Sequence, residues 1–306
     1  MTFEHTPVMV DEILSIFDEV PAGVVLDATL GGAGHAVALL DRRPELQLVG
    51  LDQDDEALAA ARTRLAPFGD RAKTEKARFD QLGTHLDDMG HHEISGFLFD
   101  LGVSSHQIDM SERGFSYRSD GPLDMRMDQR GGRTAADVVN TVDERELADI
   151  LRSYGDEKHA LRIAKAIVAA RPLSTTTQLA EIVREATPAR DRRRGDPSKR
   201  TFQALRIEVN DELNILEGAL DDALDRLCVG GRGAVLAYHS GEDRIVKRAF
   251  RNRVDVDDLR LPVPLDNEEF SLLWNGSRKP TEDENSLNRR AASARLRGIE
   301  RVAVAA

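Results

Sequence analysis

The first hundred residues alternate between short apolar runs and helix-like stretches. Val24–Ala28 is a short apolar run that meets an acid and then glycines. His35–Leu40 reads as a short helix stopped by Arg42, Arg43 and Pro44. Leu46–Asp52 is a second strand that also ends in an acid, and Asp54 is placed to cap an alanine-rich helix running to about Leu65. Ile94–Leu101 is a third strand. Strand, helix and strand joined by short links predict a doubly wound parallel α/β sheet. Ligands of such sheets sit at the carboxyl ends of the strands.

The pattern changes at about Ser104. Residues 104–134 form a long stretch rich in Gly, Ser, Asp and Arg, and loops of that length inside a domain are usually functional. Thr141–Asp211 reads mostly as helix, with segments at Glu144–Leu151, Lys158–Arg171 and Thr177–Ala186 separated by Gly155 and Pro172. This predicts a helical insertion of about a hundred residues. Strand and helix then resume. Leu213, Leu216, Leu220, Leu224 and Leu227 step by three and four, the stripe of a helix that Gly230, Gly231 and Gly233 are expected to end. Cys228 falls at the end of that helix, as a core residue. Gly233–His239 is a strand and Glu242–Asn252 a helix; Asp255–Asn288 is irregular and acidic, and Ile299–Val304 is a last strand.

Composition narrows the function. Hydrophobic residues are 41% and charged residues 31% of the 306, which suits a globular fold. A single cysteine rules out a disulfide framework or a CxxC motif and suits a reducing, cytoplasmic setting. No apolar run is long enough to span a membrane, and the charged start with His5, Asp11 and Glu12 does not read as a signal peptide. The net charge is −12, so any nucleic acid must be met by local patches. Two such patches exist. Arg184–Arg206 holds eight basic against three acidic residues, and Arg278–Arg301 holds seven against four. Lys158, Arg162 and Lys165 add a basic helix face.

Three acids mark the candidate site. Asp27-Ala-Thr-Leu-Gly31-Gly32-Ala33-Gly34-His35 is a strand-to-helix turn whose glycines let a backbone approach a ligand, and Asp27 could accept a hydrogen bond from an amine. A plain tight turn is the alternative. It is neither a full dinucleotide fingerprint nor a P-loop. Asp52, about twenty residues on, is placed to take the hydroxyls of a ribose. Phe79 could stack on adenine or pack in the core. Phe97-Leu-Phe-Asp100 ends a third strand in an acid. Three carboxylates on one rim would repel a pyrophosphate but suit S-adenosylmethionine, which carries a sulfonium, an amine and a ribose. His91 and His92 show no metal-ligand spacing, so no metal is expected; His239 ends a strand without a clear role.

Further residues carry a resemblance. His5-Thr-Pro-Val8, Asp27–His35, Asp100-Leu-Gly-Val-Ser-Ser105, the sixteen-residue run Arg113–Asp128, Tyr154-Gly-Asp-Glu-Lys158, Arg200–Glu212 and Ser293-Ala-Arg-Leu-Arg297 together resemble the MraW (RsmH) family of bacterial methyltransferases over nearly the whole length. Gly241, where leucine is commoner, and Asp196, where histidine is frequent, depart from the family pattern. The resemblance implies a Rossmann-like class I methyltransferase sheet with an inserted all-helical substrate-binding domain. The methyltransferase domain would be 1–104 with 212–306, and the RNA-recognition domain 105–211. It implies N4-methylation of a cytidine in the decoding region of 16S rRNA, with the 30S subunit as partner and neither DNA nor membrane expected. It places cofactor contacts at Ala33, Gly34, His35, Asp52, Phe79, Asp100 and Gln107, beside Asp27 and Gly31 from the turn itself.

Cytosine N4 is a poor nucleophile, because its lone pair is delocalised. The enzyme must align it with the methyl group and accept its protons. Asp100 and nearby carbonyls are the candidates for that work, although Asp100-Leu-Gly-Val lacks the Asp/Asn-Pro-Pro-aromatic motif of many amino-methyltransferases. Phe115 or Tyr117 could stack on an extruded base or simply pack the insertion. Asp120, Asp124 and Asp128 are either bases or loop caps. The rival functions are a DNA amino-methyltransferase, a nucleotide-binding oxidoreductase and a non-catalytic RNA-binding assembly factor.

Overall fold

The computed structural model describes residues 7–193, 195–254, 269–288 and 291–303. The chain forms two compact units, one of Met1–Gly102 with Leu213–Ala306 and one of Val103–Glu212.

The first unit is built on a seven-stranded sheet. Its strands are β1 (Val24–Asp27), β2 (Gln47–Asp52), β3 (Ala72–Lys76), β4 (Ile94–Asp100), β5 (Leu227–Ala237), β6 (Phe270–Leu272) and β7 (Arg295–Arg301). They lie in the order β3-β2-β1-β4-β5-β7-β6. The first five run parallel, and β7 is antiparallel to both of its neighbours. This is the doubly wound α/β sheet that the strand pattern predicts, of the Rossmann-like kind that the resemblance implies, with an antiparallel pair added at one edge. The order reverses between β1 and β4, so the ends of these strands border the crevice where such sheets bind ligands.

Both β1 and β4 are buried along their length apart from Asp100, which explains their unbroken apolar runs. One face packs Leu26, Phe97 and Phe99 against Leu220, Leu224 and Phe250. The other packs Val25, Leu98 and Leu236 against Ile13 and Phe17 of helix α1 (Val10–Phe17). Helices α2 (Gly34–Arg42), α3 (Asp55–Leu65) and α4 (Leu82–Asp88) complete the layers before the insertion. Asp54 caps α3 as its position predicts, accepting the Glu56 amide at 3.0 Å.

The second unit is helical: α5 (Ser105–Asp109), α6 (Ala135–Thr141), α7 (Glu144–Gly155), α8 (Ala160–Ala169), α9 (Thr176–Ala186), α10 (Ala189–Arg192) and α11 (Ser198–Asn210). Leu147, Leu151, Ile163, Ile167, Leu179, Val183 and Leu205 form its core. At Gly155 a Cβ would stand 2.6 Å from the Arg200 carbonyl, so this glycine sets how closely α7 approaches α11. The Arg113–Asp128 run is no open loop. Asn210 accepts the Met127 amide (2.8 Å) and donates to the Met125 and Arg206 carbonyls (both 2.8 Å), while Arg113 Nη2 donates to the Arg126 and Met127 carbonyls.

After the insertion come α12 (Glu212–Asp225), α13 (Ser240–Val254) and α14 (Glu282–Leu287). Here several expectations need correction. Leu227 and Cys228 open β5 rather than closing a helix, and Cys228 is half-buried in that strand. Gly230, Gly231 and Gly233 also lie inside β5. Gly230, at φ 78°, sits where the β4–β5 register shifts, and a Cβ on Gly233 would enter the Phe97 ring. Of Asp255–Asn288, residues 255–268 lie outside the described residues, but the rest contains β6 and α14. The last strand spans Arg295–Arg301 rather than Ile299–Val304, and Val304 lies outside the described residues, as do His5, Arg194, Arg289 and Arg290. Among the described residues no helix is long and apolar enough to cross a membrane.

Candidate functional site

The turn after β1 crosses over β2. Leu30 donates its amide to the Leu51 carbonyl at 2.9 Å, and its side chain lies on Gly50, where a Cβ would stand 2.7 Å from Leu30 Cδ1. That crossing carries Gly31, at φ 50°, above Asp52. The Gly31 amide donates to Asp52 Oδ2 at 2.7 Å. Ala33 then enters α2 with φ 59°, a left-handed conformation that costs a non-glycine residue about 1 kcal/mol. Gly34 is required by packing, because a Cβ there would collide with the Pro7 ring.

Asp27, Asp52 and Asp100 end three adjacent parallel strands, as the sequence predicts. Asp27 is buried, and burial pushes its carboxyl up to about 7. Asp100 and Asp52 add to the rise; His35 and the Thr29 amide oppose it. Burial likewise raises Asp52 to about 6, against the backbone amides of Asp54 and Gly31. Asp52 accepts the amides of Gly31 (2.7 Å) and Asp54 (2.9 Å), and the Gln53 amide adds to them.

Asp100 is held from two sides. Its amide donates to Thr29 Oγ1 at 2.6 Å, which ties the end of β4 to the turn. The Tyr238 hydroxyl donates to Asp100 Oδ1 at 2.7 Å. Burial and the neighbouring Asp100 raise the Tyr238 phenol well above its ordinary range, so it stays a donor. Asp100 Oδ2 lies 3.5 Å from His35 Nε2. Both ring nitrogens of His35 are buried without a hydrogen bond. Sequence reading passed over Tyr238. It directly follows β5, the strand beside β4, and that adjacency was the available signal.

The other candidates divide. Phe79 is half-buried and meets Phe99 edge to face, with centroids 5.9 Å apart. Gln107 belongs to the helical unit, where its Oε1 accepts the Ser104 amide (3.0 Å) in the cap of α5. Phe115 is only 8% exposed in the helical core, and Tyr117 packs edge-on to Phe202 at 5.7 Å. Packing within the unit, rather than an open stacking face, is what the structure gives these two rings. Asp124 and Asp128 cap their loops through Arg126 and Arg130, and Thr177 and Thr175 hold Asp120. His239 Nδ1 accepts the Gly241 amide at 3.2 Å, and the buried Glu242 accepts those of Tyr238 and His239, so this segment caps α13.

The basic runs are partly neutralised. Arg184 pairs with Asp196 and Arg206 with Glu212. Arg162, Lys165, Arg192, Arg193 and Lys199 are exposed, with no carboxylate partner among the described residues. His92 pairs with Asp87 at 3.0 Å. Among the described residues no cluster of three His, Cys, Asp or Glu could hold a metal ion.

The rim suits a ligand with hydroxyls and a positive charge. Buried carboxyls held partly protonated would be drawn to ionise beside a cation, and the buried His35 nitrogens leave hydrogen-bonding capacity unused. Ribosomal RNA small subunit methyltransferase H of Thermobifida fusca is 52% identical over 307 residues, covering 97% of this chain and 93% of the relative. The protein of the same name from Streptomyces avermitilis is 50% identical, covering 97% of each. The crystal structure of an rRNA methylase from Streptococcus thermophilus aligns over 99% of this chain and all of its own, at 12% identity and a TM-score of 0.45. The model of the MraW methylase family matches residues 2–302, and the chain belongs to that family.

Proposed function

We propose that the chain is an S-adenosylmethionine-dependent methyltransferase that modifies N4 of a cytidine in the decoding region of 16S rRNA, with the assembled 30S subunit as substrate. The observation that carries this reading is the rim of three strand-end carboxylates in a chain of the MraW methylase family. S-adenosylmethionine supplies a methyl group that its sulfonium already activates. Asp27 and Asp52, with the Gly31–His35 turn, are the residues that would hold it, and Phe79 would border its base. Gln107 is kept as a further contact by family resemblance alone.

The chain's own chemistry centres on Asp100. Tyr238 occupies Oδ1 and fixes the carboxylate plane, which leaves Oδ2 to accept a proton of the cytosine amine. Accepting it strengthens the nitrogen lone pair while the new bond forms and takes up the proton that nitrogen must lose. The exposed cations of the helical unit would meet RNA phosphates.

Radiolabelled cofactor offered with unmethylated 30S subunits, free 16S RNA, 50S subunits and duplex DNA tests the reading. Label in N4-methylcytidine from 30S alone is the expected result. Label in DNA or in another base would overturn the substrate, and tight cofactor binding without transfer would favour a non-catalytic assembly factor.

Two further outcomes are expected. Asp52→Ala weakens cofactor binding by about 1–3 kcal/mol through lost hydrogen bonds. Unchanged affinity in calorimetry would remove Asp52 from the site. Cofactor affinity also rises between about pH 5 and about pH 8, because ionisation of Asp52 and Asp27, raised to about 6 and about 7, supplies the charge that attracts a cation. The protein alone behaves oppositely. A raised carboxyl favours the folded state only while protonated, so that contribution is full below about pH 4 and is lost as pH climbs through about 6 to 7. Calorimetric titrations and thermal melts across this window would show both trends; flat profiles would refute them.

A further inference from the structure

The β6–β7 edge of the sheet carries a pocket of about 250 Å³. Lys247 and Arg251 of α13 line it, with Trp274 and Asn275 after β6 and Arg297 and Gly298 of β7. Phe250 and Leu272 add apolar lining. Gly298 makes room for the indole, since a Cβ there would stand 2.7 Å from Trp274 Cη2. The Arg278 guanidinium lies over the indole, 4.2 Å from its centroid. Arg297 is locked by Asp243 (2.8 and 3.1 Å) and the Gly276 carbonyl (2.9 Å), so it shapes the wall without adding free charge. Lys247 and Arg251 differ. They lie one turn apart on α13, exposed, with no carboxylate partner among the described residues.

Two exposed cations without a carboxylate partner among the described residues, a packed indole and a side-chain amide at one edge are the chemistry that holds a nucleotide of single-stranded RNA. The cations take phosphate, the indole already stacked on Arg278 gives a base an apolar wall, and the amide can read a base edge. The position fits as well. Gly298 of the lining pairs with Ala234, which pairs with Leu98, so this wall lies two strands across and two residues along from Asp100, roughly 12 Å at ordinary strand geometry. We propose that this pocket binds a nucleotide of the RNA substrate that flanks the one presented at the rim. The inference rests on the RNA-methyltransferase reading above and adds to it a second contact on the sheet unit.

Trp274 is the chain's single tryptophan, so its fluorescence reports on this pocket alone. The probe is a labelled single-stranded oligoribonucleotide of decoding-region sequence, followed both by label anisotropy and by indole emission. A saturable emission change that tracks anisotropy is expected. The Lys247→Ala/Arg251→Ala double variant should raise the dissociation constant about tenfold and lower the salt slope by about 1.4, the value for two phosphate contacts on a single strand. Lys247→Arg should retain wild-type binding, and cofactor affinity should hold in all variants. The proposal is overturned if the RNA does not bind, if it binds without changing the emission, if the double variant binds equally well, or if inorganic polyphosphate produces the same response. The parent reading is judged separately. A full emission response without methyl transfer to 30S would sink the enzyme assignment and leave the pocket, whereas transfer without an emission response would do the reverse.

Discussion

Replacing Asp100 with asparagine lowers the turnover number for methyl transfer about a hundred- to a thousand-fold. Asparagine keeps the shape and can still accept the Tyr238 hydroxyl that Asp100 Oδ1 now accepts at 2.7 Å. It loses the charge and basicity at Oδ2, the oxygen that would face the amine. The loss should therefore fall on kcat, with KM for the subunit changing less. Tyr238→Phe removes the hydrogen bond but leaves the carboxylate, so a smaller loss, about tenfold, is expected. Steady-state transfer of label to unmethylated 30S subunits measures both. Near wild-type turnover in Asp100→Asn, with a thermal melt showing an intact fold, would remove Asp100 from the chemistry.

The second large effect is on stability. Asn210→Leu should destabilise the helical unit by about 2–4 kcal/mol. Asn210 is buried and serves three backbone groups: the Met127 amide and the Met125 and Arg206 carbonyls. Leucine fills the volume but strands the Met127 donor and the Met125 acceptor inside the unit. Urea unfolding followed by circular dichroism should show the earlier midpoint. An unchanged midpoint would mean that the Arg113–Asp128 run is held by other contacts.

The elements most legible in the sequence were those whose burial is simplest. Strands β1, β2 and β4 are enclosed by helices and read as apolar runs, and their terminal acids mark the rim. The edge strand β3, Ala-Lys-Thr-Glu-Lys, has no apolar run to betray it, because no residue in it is fully buried. The leucine stripe of α12 misled in the other direction. Its spacing runs on to Leu227, which already belongs to β5, and the glycines that look like a helix stop are a register irregularity inside that strand. Helix α1 was missed although Val10, Ile13, Leu14 and Phe17 carry helical spacing. In the site, the three carboxylates were readable from position alone. Tyr238 was not, because its role depends on β5 lying beside β4, and strand order is not written in local pattern.

The interruption of the sheet unit between Gly102 and Leu213 also shapes how the chain can be made. During synthesis β1 to β4 emerge first, but β5, the partner of β4, follows only after the whole helical segment. At ribosomal speeds of about 5–20 residues per second, the interval from Asp100 to Leu227 is roughly 6–25 s. Through it, the apolar strand Ile94–Asp100 has one unpaired edge, a template for wrong pairing with another nascent chain. The helical segment is contiguous in sequence and closes a core of its own, so it can fold during the delay. Fast local folding of the insertion would keep the waiting strand's competitors few, and slow folding of it would favour aggregation even where the finished protein is stable.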